Sequence, residues 1–98
     1  MGFAVLFHPD LYEDLKPLNQ NIQETILSAM ENRLGAEPMK YGKRLSRGLR
    51  GFWKLRVGQY RVIYRVEGTE VWVLKVGHRK DVYAAVKKRL GWTPRIGD

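Results

Sequence analysis

Residues 52–57, 59–67 and 70–79 alternate apolar with polar side chains, separated only by the turns Val57-Gly58-Gln59 and Glu67-Gly68-Thr69. Alternation is the period of a strand, and glycine in a tight turn is the hairpin signal. These residues therefore predict three antiparallel strands in succession. The constraint reaches further, because a sheet this small needs other elements to cover its apolar face, and the rest of the chain must supply them.

Upstream, Phe3, Val5 and Phe7 alternate with Ala4, Leu6 and His8 as a first strand. His8-Pro9-Asp10 opens a short helix with Leu11, Leu15 and Leu18 on one stripe, and Pro17 ends it near Lys16. A second helix starts from Asn19 or Asn21, buries Ile22, Ile26, Ala29 and Met30, and ends at Gly35 and Pro38. The two form an antiparallel hairpin on the sheet. Residues 36–50 follow neither period, and Gly42, Gly48 and Gly51 predict a flexible basic loop with a short turn near Leu45 and Leu49. Asp81 caps a last helix carrying Val82, Ala85, Val86 and Arg89/Leu90 at helical spacing, stopped by Gly91.

The expected fold class is α+β in the order β-α-α-β-β-β-α. It has a small antiparallel-dominated sheet of about four strands, an N-terminal helical hairpin on one face and a C-terminal helix. Ninety-eight residues make one domain, over 1–90, with a loosely held tail at 91–98 that includes Trp92. The chain has no cysteine, and its two histidines, His8 and His78, match no ligand spacing, so neither a metal site nor a cofactor is expected. No apolar run approaches a membrane span, and the N-terminus lacks a basic region followed by a hydrophobic stretch. The expected location is cytoplasmic.

Charge is segregated along the chain. Residues 1–37 carry a net −4, and residues 38–98 a net +12. Between Glu37 and Glu67 there are nine basic residues and no acidic one. Solubility does not require such segregation, so a polyanionic partner, most simply nucleic acid, is expected.

Parity sorts the strand residues into two faces. Trp53, Leu55 and Val57, then Tyr60, Val62, Tyr64 and Val66, then Trp72, Leu74, Val76 and His78 share the face meant for the helices. The other face presents Lys54, Arg56, Arg61, Arg65, Lys75 and Arg79 among Ile63, Val71, Val73 and Gly77. It carries no carboxylate, so acid–base work there falls to lysine, tyrosine or arginine. Crowded cations disfavour a lysine's charged form and favour ionisation of a neighbouring tyrosine, and arginine holds phosphate in two-point contact. This composition permits a metal-free ribonuclease with the RNA's own 2′-hydroxyl as nucleophile.

The segments GLRGFWKLRVGQYRVIYRV (48–66) and VWVLKVGHRKDVYAAV (71–86), with FHPDLYEDL (7–15), resemble the RelE branch of the RelE/ParE toxin superfamily over about residues 3–90. The resemblance implies the toxin half of a type II toxin–antitoxin pair, an mRNA endonuclease that enters the ribosomal A site and cuts by metal-independent 2′-hydroxyl attack. It implies catalytic roles for Lys54, Arg61, Arg79 and Tyr83, with Arg56 as a further phosphate contact. The basic residues Lys43, Arg44, Arg47, Arg50, Arg65 and Lys75 are expected to bind mRNA and ribosomal RNA. An acidic, RelB-like antitoxin is the expected partner, and no membrane is involved. Some members carry a second lysine where this chain has Phe52. Two other functions fit the fold: a ParE-like inhibitor of DNA gyrase, and a catalytically inactive RNA- or antitoxin-binding module.

Overall fold

The computed structural model describes residues 2–46 and 48–91, so Arg47 and all but the first residue of the expected tail lie outside the described residues. In chain order the elements are β1 (Ala4–Phe7), α1 (Leu11–Leu15), α2 (Gln20–Ala29), α3 (Pro38–Tyr41), β2 (Lys43–Arg44), β3 (Trp53–Val57), β4 (Tyr60–Glu67), β5 (Glu70–His78) and α4 (Val82–Gly91). One five-stranded sheet runs β1-β5-β4-β3-β2. β1 is parallel to β5, and the other neighbours are antiparallel.

Local chemistry sets the element ends. Asn19 is the cap of α2, its Oδ1 accepting the Ile22 N–H at 2.9 Å. α2 closes through a π turn over Met30–Leu34, where the Gly35 N–H reaches back to the Met30 carbonyl at 3.1 Å. Gly58 and Gly68 take φ of 60° and 61°, the left-handed geometry that tight hairpin turns require.

The sheet is covered on both faces. On one, α1, α2 and the π turn bury Leu11, Leu15, Ile26, Met30 and Leu34 against Leu55, Val57, Val62, Tyr64, Val71, Val73 and Val76. On the other, Val82 and Val86 of α4 close with Leu49 over Ile63 and Leu74.

Three expectations change. The segment 36–50 is not all loop. Pro38 starts the short helix α3, and Lys43–Arg44 add a fifth strand opposite Trp53 and Lys54. Gly42 permits this, because a Cβ there would collide with the Tyr64 hydroxyl. Strict alternation fails in β5, where Ile63 pairs with Lys75 and Tyr64 with Val73, leaving Leu74 extra. That bulge inverts the faces upstream of it. Val71 and Val73 join the helical-hairpin core, whereas Trp72 and Leu74 face α4. Finally, the cationic face is not simply wet, since α4 and Leu49 cover its centre and leave the charges around the rim.

Candidate active site and nucleic-acid interface

Register places the basic residues more sharply than parity does. Residues opposite one another in an antiparallel pair project to the same face. Lys43 lies opposite Lys54, and Arg56 opposite Arg61, which in turn faces Gly77 of β5. Two like-charged pairs thus stand next to each other on the face shared with Ile63. Like charges directly opposite one another destabilise a sheet. Among the described residues no carboxylate forms an ion pair with Lys43, Lys54, Arg56, Arg61 or Arg79.

The β3–β4 turn and the start of α4 frame this cluster. Arg61 Nη1 donates to the carbonyls of Gly58 (3.1 Å) and Tyr60 (2.9 Å), which holds the guanidinium at the turn. Arg79 donates from its backbone N–H to the Gln59 carbonyl (2.8 Å) and from Nε to Gln59 Oε1 (2.9 Å). Both arginines are therefore gathered at one end of the sheet, oriented by neutral acceptors rather than neutralised by acids. α4 begins there too. A Cβ at Gly77 would lie 3.3 Å from Val82, so glycine lets the first turn of the helix settle on β5. That seat brings Tyr83 over the sheet, with the Lys54 ammonium 5.7 Å from its ring centre.

The catalytic residues expected from the sequence, Lys54, Arg61, Arg79 and Tyr83, lie at this end of the sheet, with Arg56 and Lys43 beside them. The remaining basic residues divide differently. Arg44 projects to the opposite face, its guanidinium 5.2 Å from the Trp53 ring centre. Arg65 is paired with Glu67 and stacks on Phe52, 5.6 Å from the ring centre. Arg50 is exposed on the loop before β3. Lys75 leaves the open face, because its ammonium is 2.7 Å from Asp14 and its side chain only 19% exposed. Its charge is engaged by Asp14 within the molecule. Arg47 lies outside the described residues.

Phe52 packs against the smaller core beneath α4 instead of standing free. His78 meets Tyr60 edge-on at 5.9 Å and accepts the Lys80 N–H at 3.2 Å, a structural placement. Tyr64 is fully buried, and its hydroxyl donates to the Pro38 carbonyl at 2.5 Å. Burial pushes that phenol well above its ordinary range, so it stays protonated. Residue-by-residue reading overlooked Gln59, which orients Arg79, and the pair Asp14 and Arg89. The available signal was position: Asp14 and Arg89 are charged residues lying on otherwise apolar helical stripes.

The combination of a parallel-edged antiparallel sheet, a helical hairpin on one side and a cation cluster under a single terminal helix is shared with known proteins. The family described as the ParE toxin of type II toxin–antitoxin systems, parDE, matches residues 5–83, and the chain belongs to that family. Within it the chain falls in the RelE branch. Toxin RelG of Mycobacterium tuberculosis is 36% identical over 85 residues, spanning 85% of this chain and 98% of that protein. The toxin–antitoxin complex RelBE2 of the same organism holds a chain that superposes with a TM-score of 0.76 at 33% identity, covering 81% of this chain and 100% of that one. A double mutant of the Escherichia coli toxin RelE, in the free state, shares the fold, with a TM-score of 0.69 at 24% identity over 91% of this chain and 98% of that one. Among the described residues no helix is long and apolar enough to cross a membrane.

Proposed function

We propose that this type II toxin is a ribosome-dependent mRNA endonuclease that cleaves by 2′-hydroxyl attack. The observation that carries the reading is the two like-charged cross-strand pairs, Lys43–Lys54 and Arg56–Arg61, with Arg79 and Tyr83 at the same end of the sheet and no acid among the described residues paired with them. A fold keeps such repulsion where an anion relieves it, and a phosphodiester is an anion that guanidinium groups grip at two points.

In this reading Arg61 and Arg79 bind the scissile phosphate and stabilise the charge that builds on its oxygens as phosphorus becomes five-coordinate. The bond from the 2′-oxygen to phosphorus forms, and the bond to the 5′-oxygen breaks. One proton leaves the 2′-hydroxyl and one is delivered to the departing 5′-oxygen. Lys54 and Tyr83 are the neighbouring groups able to take and give those protons. Arg56 and Lys43 hold flanking phosphates. The donor set is ammonium, guanidinium and phenol, which offers no carboxylate for a cation, so the reading is metal-independent. The partner in the cell is an acidic, RelB-like antitoxin that neutralises the cationic end.

Primer extension on a defined mRNA in a purified translation system, with Arg61→Ala alongside, tests this. Cuts within the A-site codon, absent in the variant and unaffected by chelator, are expected. An uncut message together with inhibition of gyrase supercoiling would overturn the reading in favour of a ParE-like inhibitor.

A further inference from the structure

Asp14 is the only carboxylate among the described residues that is withdrawn from solvent, its side chain being 3% exposed. It sits on α1, yet its partners are on other elements. Oδ1 receives Lys75 Nζ at 2.7 Å and Arg89 Nη2 at 2.9 Å, while Oδ2 receives Arg89 Nη1 at 2.9 Å and the Val76 N–H at 3.1 Å. Arg89 belongs to the last turn of α4, and its Nη1 also donates to the Leu74 carbonyl at 2.8 Å. The location explains the need. β1 pairs with β5 only as far as Val73, where the His8 N–H makes the last rung, so β5 beyond its bulge has an uncovered edge. Asp14 and Arg89 take the place of the missing strand there.

An apolar cover would leave the Val76 N–H and the Leu74 carbonyl without partners, so the edge calls for polar side chains. A full ion pair goes beyond that need: such pairs often add little stability over apolar replacements, and in some proteins they fix geometry instead. Here the two-point carboxylate–guanidinium grip holds one end of α4, and the seat of Val82 on Gly77 holds the other. Two anchors about 10 Å apart along the axis stop the helix from rolling. Tyr83 follows the first anchor directly, so its aim over Lys54 depends on both.

We infer that Asp14 and Arg89 are positioning residues for the candidate site: by clamping the far end of α4 to the bulged edge of β5 they set the direction of Tyr83 over Lys54. The inference rests on the proposed endonuclease in so far as activity is the readout. Asp14→Asn keeps the size and loses the charge. It is expected to lower kcat for A-site cleavage about tenfold or more, with KM for programmed ribosomes nearly unchanged. In a Tyr83→Phe background the same substitution is expected to add little further loss. An equal loss in both backgrounds would overturn the inference, because a merely structural role does not depend on the tyrosine hydroxyl. Arg89→Lys keeps the charge without the two-point grip, and gives the same readout if Asp14→Asn does not fold. The contact itself is followed by the NOE between the Tyr83 ring and the Lys54 side-chain methylenes, which is expected to weaken in both variants. An undiminished NOE in a folded variant overturns the inference. If the wild-type protein leaves mRNA uncut, the endonuclease reading fails and the NOE alone decides this one.

Discussion

At the scale of single residues, the cation cluster and the buried phenol make opposite demands on their surroundings. Arg61 and Arg79 are pinned by neutral oxygens of Gly58, Tyr60 and Gln59, so removing either guanidinium leaves no buried charge behind. Arg61→Ala and Arg79→Ala are therefore expected to lower cleavage about a hundredfold or more while moving the urea midpoint little. Cleavage assays and denaturant melts on the same preparations check both halves. Tyr64 is the reverse case. Its folded-state proton is held above the ordinary value near 10, so the unfolded chain releases a proton at lower pH than the folded one does. Stability from this group is fully present below about pH 10 and falls as pH rises beyond it. Tyr64→Phe should lose about 1–3 kcal/mol at neutral pH through the abandoned Pro38 carbonyl, and show a shallower alkaline decline in urea melts above pH 10. Equal alkaline slopes in the two proteins would show that the phenol titrates alike in both states.

At the scale of elements, caps and turns carry the fold. Asn19→Ala removes the side-chain acceptor for the Ile22 N–H and is expected to cost about 1 kcal/mol, read as a lower urea midpoint with an unchanged m-value. Much of this layer was legible in the sequence because it rests on local chemistry. Period two with Gly58 and Gly68 marks the meander, and Pro17 and Asn19 separate the first two helices. What was not legible depends on partners far along the chain. The bulge at Leu74 leaves no mark in a run of alternating valines, because Val71, Trp72, Val73 and Leu74 are all apolar and suit either face. β2 is two residues long, and only its neighbour β3 and the packing of Gly42 on Tyr64 define it. The site divides likewise. Lys54 and Arg56 follow from parity, whereas the approach of Lys43, the withdrawal of Lys75 to Asp14 and the grip of Arg89 need the tertiary structure.

At the scale of the whole molecule, the segregation of charge along the chain becomes segregation in space. The acid-rich residues 1–37 build β1 and the helical hairpin, and Lys43, Lys54, Arg56, Arg61 and Arg79 gather on the far face around α4. Binding to single-stranded RNA should accordingly weaken steeply with salt. With about six cations at phosphates, log K against log salt is expected to fall with a slope of about −4, and Lys43→Ala should reduce that slope by about 0.7. A slope near zero in a salt titration would remove the cationic face from RNA recognition.

The pairing of β1 with β5 has a consequence in time. Ala4 precedes its partner Glu70 by sixty-six positions in the order of synthesis, and the Arg89 clamp on Asp14 comes later still. Strand pairs this distant form only after the intervening chain is available, and they form slowly. During translation the nascent toxin therefore holds Lys54 and Arg61 before it holds the helix that completes them. The machine that makes this protein has added nearly all of residues 4–89 before the chain can assemble its site.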